Sequence, residues 1–165
     1  MSGPQTHKRM CRGAGRDNKW VFWRWFHIGD YLHRLKIIST PYGAIYLHKM
    51  MTPDQHPVLH DHPWAFISFI VRGGYREVYL DKMTREVRKH RIWFVNVKHR
   101  DDAHYIYQLC RVPTWTLVFV GRRHRTWGFW RPIKGDDEHA IPQGKRGWSW
   151  HEFDQDVVHA KRLKA

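Results

Sequence analysis

At 165 residues the chain is long enough for one domain with a real core, and ten Trp, eight Phe and seven Tyr favour a folded protein over a disordered one. A formal charge of +14 points either to anionic partners or to a heavily solvated cationic surface. Two cysteines, Cys11 and Cys110, exclude a disulfide framework and a cysteine-based zinc site, and no apolar run approaches the ~20 residues of a membrane helix.

Residues 1–18 are polar, basic and glycine-containing, which predicts a flexible arm ahead of a single domain over 19–165. No apolar run follows the basic N-terminal residues, so no secretory leader is expected, and the default location is the cytoplasm. The aromatic segment Lys19–Phe26 enters the domain. Leu35–Thr40 and Ala44–Met50 then flank Pro41-Tyr42-Gly43, which reads as a hairpin. Met51–Gln55 is a loop leading into a histidine-bearing strand. Trp64–Val71 is a strand closed by Gly73-Gly74, whose lack of side chains suits the positive φ of a tight turn, and Tyr75–Leu80 returns from it. Arg88–Val97, His104–Leu109 and Thr114–Gly121 are three further strand-like runs, followed by Thr126–Trp130. Residues 131–147 read as loop, and only 151–163 hint at helical periodicity, as a C-terminal appendage. About eight short strands at regular spacing imply an all-β barrel or sandwich.

The most informative feature is His60-Asp61-His62. On an extended segment, residues i and i+2 share a face, so both imidazoles can bind one ion while Asp61 turns away. A third histidine from another strand would complete a facial set that leaves positions open for water, substrate or dioxygen, and a lone His104 lies downstream.

These residues resemble the cupin superfamily, whose first motif is G-x5-H-x-H-x(3,4)-E-x6-G and whose second is G-x5-P-x-G-x2-H-x3-N. His60 and His62 match the H-x-H, Gly74 the closing glycine, and His104 the histidine of the second motif, with Gln108 in place of its asparagine. Ile67, or Phe66 in the shorter spacing with Gly73, stands where the glutamate belongs. Asp54, Trp93, His99 and Asp101 replace the remaining glycines and proline. The chain also resembles a group of uncharacterised phage and bacterial cupin-like proteins in Tyr46-Leu47-His48, Leu59-His60-Asp61-His62-Pro63-Trp64, Gly73-Gly74-Tyr75-Arg76-Glu77, His104-Tyr105-Ile106 and Trp127-Gly128-Phe129. The resemblance implies a double-stranded β-helix, the jelly-roll barrel of cupins, and one divalent transition metal on His60, His62 and His104.

Without the glutamate, that set is similar to the three-histidine iron of thiol dioxygenases. Neutral ligands leave the full 2+ charge on the metal, which favours an anionic substrate and disfavours a 2-oxoglutarate oxygenase. The leading expectation is therefore an Fe(II) oxygenase acting on a small anionic molecule. Zn, Mn or Ni in a redox-silent isomerase or lyase is the alternative, and a basic nucleic-acid-binding or regulatory cupin without turnover is a third.

Strand parity with the ligand pair makes Trp64, Ser68 and Arg72 pocket candidates, and parity with His104 adds Gln108. His48 either lines the barrel beside the metal or is an ordinary hydrogen-bonded strand histidine. Arg122, Arg123 and Arg125 with Trp127 and Trp130 mix cations with aromatics, a combination suited to nucleic acid or a nucleotide and equally to a charged hairpin tip. A homodimer is compatible with the chain, and a membrane partner is not expected.

Overall fold

The computed structural model describes residues 20–55, 57–132 and 147–152. They form eleven strands and no helix: β1 (Val21–Ile28), β2 (Leu32–Thr40), β3 (Gly43–Met50), β4 (Phe66–Arg72), β5 (Tyr75–Leu80), β6 (Val87–Ile92), β7 (Val95–Lys98), β8 (His104–Leu109), β9 (Thr114–Val120), β10 (Gly128–Pro132) and β11 (Trp148–Glu152). No helix among the described residues is long and apolar enough to cross a membrane. The 1–18 arm lies outside the described residues, as does the 151–163 periodicity apart from its first two residues, which are strand.

One sheet has the order β1-β2-β3-β9-β4-β7 and a second has β6-β5-β8. His60 extends the second sheet through isolated bridges to His104 of β8 and Phe129 of β10, and β10 pairs with β11. Every pairing is antiparallel. From β3 to β9 the chain crosses between sheets at each step except the β5–β6 hairpin, so that β3-β9-β4-β7 faces the row made by the His60 segment, β8, β5 and β6. That order is a jelly roll, the double-stranded β-helix implied by the cupin resemblance.

Period-two burial explains which side chains fill the roll. Ala44, Tyr46 and Met50 of β3 are buried, and their cross-strand partners on β9 are Val120, Val118 and Thr114. Leu32, Met50, Tyr75 and Ile92 form one apolar cluster, with Ile28, Tyr31, Ile70, Ile106 and Leu109 packed against it. Alternation along β5 sends Tyr75 and Glu77 to one face, whereas Val78 and Leu80 join Leu59, Ala103 and Trp130 in a separate cluster on the other.

Two expectations are corrected. The run Arg88–Val97 is two strands in different sheets, with Trp93 and Phe94 making the corner between β6 and β7. Neither residue is a turn former, so the sequence carries no punctuation there. Room for the corner comes from Gly74 (φ 134°): a Cβ on it would lie 2.9 Å from the Ile92 carbonyl oxygen and 3.0 Å from Cε3 of Trp93. The histidine segment is not a laddered strand either. It pairs only at His60, between Pro57 and Pro63, which lack the N–H that a longer ladder requires.

Candidate metal centre

The reciprocal backbone bonds His60 N to His104 O (3.1 Å) and His104 N to His60 O (2.9 Å) set the His60 segment against β8. This pairing brings His60, His62 and His104 together, with one ligand atom of each within 4.8 Å of the others. Nε2 of His62 lies 2.9 Å from Nε2 of His104. Nδ1 of His60 is 3.2 Å from the Val58 carbonyl oxygen, a bond in which the ring must donate, leaving Nε2 with its lone pair. His104 Nδ1 likewise donates to Glu77 Oε2 at 2.7 Å. A carboxylate behind a histidine fixes its tautomer and raises its basicity as a ligand.

Burial holds His62 well below its ordinary pKa, helped by the positive charge of His104, His60, Arg34 and Lys98. Burial and His104 lower His60 in the same way. A divalent transition metal takes imidazole in its neutral form, which burial favours for His60 and His62, and the three rings present their nitrogens to one point, so the donor set fits such an ion.

Glu77 is fully buried and is the hub behind the site. It accepts from Lys98 Nζ (2.5 Å), His90 Nε2 (2.5 Å) and Asn96 Nδ2 (3.1 Å) as well as from His104. Burial alone would raise its carboxyl, but the bonds from His104 and His90 and the Lys98 charge hold it far below the usual carboxylate range. Glu77 is thus committed to positioning and stays outside the ligand set.

Asp61 turns away from the histidines, as alternation requires. Its carboxylate accepts from Trp130 Nε1 and Trp150 Nε1 (2.8 Å each) and Gly128 N (3.1 Å), and pairs with Arg125 Nη2 at 2.8 Å. Burial pushes this carboxyl up, against the pull of Trp130, Arg125 and Trp150. Gly128 admits no side chain, because a Cβ there would meet Nε1 of Trp150 at 1.9 Å. Asp61 therefore pins the ligand segment to β10 and β11.

The site walls come from both sheets. The Phe66 ring packs edge-on to His62 at 5.0 Å, and Trp127 stacks parallel to His60 at 5.8 Å. Phe66, not Ile67, is the residue at the missing glutamate position that faces the histidines; Ile67 lies on the outer face, 41% exposed. Across the roll, His48 is hydrogen-bonded through Nε2 to Arg34 Nε at 2.9 Å, and the two are cross-strand partners. Burial, then Arg34, keeps His48 well below its ordinary pKa.

The other candidate residues are scattered. Ser68 is buried on the inner face, opposite Asn96 and Val118. Trp64 is buried near Ser39, Tyr46 and Val120. A bulge between Ile70 and Arg72 leaves Arg72 exposed, and a second, at Tyr107, does the same to Gln108 by pairing it with exposed Arg76. The arginine–tryptophan run does not form one surface. Arg125 is held by Asp61 and Asp101, Arg123 Nε donates to the Arg125 carbonyl, Trp127 covers His60, and Trp130 is buried. Arg122 remains exposed.

Sequence reasoning missed Glu77, Lys98, Asn96 and Arg34. The available signal was parity: Tyr75 and Glu77, and Asn96 and Lys98, alternate with neighbours of the opposite face, so each polar residue shares the inward face of its strand.

No family model and no curated protein matches the chain. Among solved structures it is similar to CapF with the inhibitor 3-isopropenyl-tropolone, at 14% identity over 60% of this chain and 31% of that one (TM-score 0.48). It is similar to hydroxypropylphosphonic acid epoxidase from S. wedmorenis at 13% identity over 66% and 63% (TM-score 0.47), and to KdgF from Halomonas sp. at 17% over 62% and 94% (TM-score 0.46). The chain spans about a third of CapF and under two thirds of the epoxidase. These likenesses are weak, and the jelly roll stands on the strand order of the chain itself.

Proposed function

We propose that the chain is a mononuclear metal enzyme that uses iron(II) and dioxygen on a small anionic substrate. The observation that supports this reading best is the donor set. Three imidazoles converge, while the nearby carboxylate, Glu77, is spent on the far side of His104. A metal held by His60, His62 and His104 keeps its full positive charge and open positions, and bound iron(II) would supply Lewis acidity and redox capacity.

The rest of the chemistry belongs to the chain. Arg34 and Lys98 both act electrostatically on His62, so the interior around the histidines is cationic and draws an anion inward. Phe66 and Trp127 shield the imidazoles from water, which strengthens each polar contact made there. Glu77 orients His104, and Asp61 holds the ligand segment in register.

A redox-silent isomerase or lyase carrying Zn, Mn or Ni is the second reading, because three histidines are also a catalytic zinc set. Oxygen uptake separates the two. Protein stripped of metal and reloaded anaerobically with Fe(II) should consume dioxygen with some member of a panel of small carboxylates, thiols and phosphonates, and Zn-loaded protein should not. Turnover of a panel member by the Zn or Mn form without oxygen uptake would favour the second reading.

A further inference from the structure

At the rim of the roll, outside the histidine cluster, lies a concavity of about 420 Å³. Lys82, Arg100 and Arg122 line it with fixed positive charge, His99 and His124 add two more donors, and Asp101 is the one carboxylate. We propose that this pocket binds the phosphate group of a small phosphorylated molecule, at a site separate from the metal centre. The inference goes beyond the metal reading and stands without it.

The charge balance carries the argument. Asp101 is already engaged by Arg125 Nη2 at 3.1 Å and by Arg100 Nε at 3.8 Å, so it offers little to repel an anion. Lys82 is held in place by Asp102 at 2.6 Å, and the other Asp102 oxygen accepts the His99 backbone N–H at 2.6 Å. The side chains of His99, Arg122 and His124 are exposed at the pocket and bond to no other described side chain. An oxyanion with three acceptor oxygens answers this array, and Arg meets phosphate with two parallel N–H bonds.

The walls are built before any ligand arrives. Gly121 N donates to the Ala65 carbonyl and His124 N to the Pro63 carbonyl, both at 2.9 Å, so the β9–β10 loop is tied to the segment that follows His62. Arg125 bonds the Arg100 carbonyl and pairs with both Asp61 and Asp101, linking the pocket wall to the ligand segment.

Size and shape favour a small molecule over a nucleic-acid strand. A volume of this order matches ordinary small-ligand pockets. Among the described residues its lining contains no Trp, Tyr or Phe, and Trp127 and Trp130 are turned to the interior, so the broad stacking platform that a single strand uses is not found here.

Isothermal titration of the full chain with ribose 5-phosphate, inorganic phosphate, ribose and a series of oligothymidylates tests the proposal, with metal-loaded and metal-stripped protein in parallel. Ribose 5-phosphate should bind both forms, inorganic phosphate more weakly, and ribose not at all. The double variant Arg100→Gln/Arg122→Gln should weaken ribose 5-phosphate at least tenfold at unchanged metal content, and Arg100→Lys/Arg122→Lys should restore most of the binding. Equal heats for ribose 5-phosphate and ribose, or an unchanged affinity in the glutamine variant, would overturn the proposal. Loss of binding on metal removal would put the anion on the histidine site instead. Affinity that climbs with oligothymidylate length past that of ribose 5-phosphate would make the surface a strand-tracking one.

Discussion

The Glu77 carboxylate accepts the His104 Nδ1 hydrogen at 2.7 Å and so commits the opposite ring nitrogen of His104 to the position 2.9 Å from Nε2 of His62. A buried acid thereby sets the tautomer of a candidate metal ligand while standing outside the histidine cluster. Glu77→Gln should lower metal affinity by about 10–100-fold, as loss of an orienting partner does. It should also cost about 3–5 kcal/mol of stability by leaving Lys98 buried without its counter-charge. Chelator competition reads the first effect and chemical denaturation the second. Companion Lys98→Met should recover part of the stability and none of the affinity.

Phe66 and Ile67 are neighbours on β4 with opposite orientations, which makes them a matched pair for testing the missing carboxylate. Phe66→Glu places an oxygen donor beside His62 and should change metal preference or tighten divalent binding, at some cost in packing. Ile67→Glu faces outward and should leave metal binding as it is. Metal-binding isotherms for the two variants decide the point, and an effect confined to Ile67→Glu would mean that the β4 register is wrong.

Asp61 makes its bonds to Trp130, Trp150, Gly128 and Arg125, all on the side of the segment away from the imidazoles. Asp61→Ala should destabilise the fold by about 3–5 kcal/mol, since it leaves two indole donors and the Gly128 N–H without an acceptor and removes one of the two carboxylates that hold Arg125. Asp61→Asn keeps an acceptor and should retain one equivalent of metal. Thermal unfolding and metal content, measured on the same samples, separate a structural role from ligation.

How much of this was legible follows from strand parity. His60 and His62 could be found because alternation sets a shared face over three residues, with Asp61 between them turned away, whereas His104, on another strand, was reached through its match to the second cupin motif. The same rule misplaced Arg72 and Gln108, because bulges at the Ile70/Arg72 step and at Tyr107 shift the phase and nothing in the composition marks them. The β6–β7 corner was hidden for a related reason: Trp93 and Phe94 look like strand residues, and the turn depends on the space at Gly74, nineteen positions from Trp93. Glu77 was visible as a residue but not as a hub, since its four partners come from β6, β7 and β8.

Stability should fall on the acid side in two stages. His48 and His62 are buried neutral, and burial holds both well below 6.5 in the fold. The unfolded chain takes up those protons as pH drops below about 6.5 while the fold refuses them, so stability declines by about 1.4 kcal/mol per pH unit for each such proton. Glu77 is depressed by its hydrogen bonds and Lys98, so its contribution is complete above the unfolded carboxylate range and is lost as pH falls below it. Denaturant midpoints of metal-stripped protein from pH 8 to pH 3 should therefore drop first below about 6.5 and again below about 4.5. A flat profile down to pH 5 would contradict the neutral burial of His48 and His62.

The most direct test is the metal content, by elemental analysis, of protein purified without added metal, beside His60→Ala, His62→Ala and His104→Ala. One equivalent of a divalent transition metal is expected in the wild type, and each variant should remain folded and lose most of it. A full equivalent retained by all three variants would contradict a centre built on these histidines.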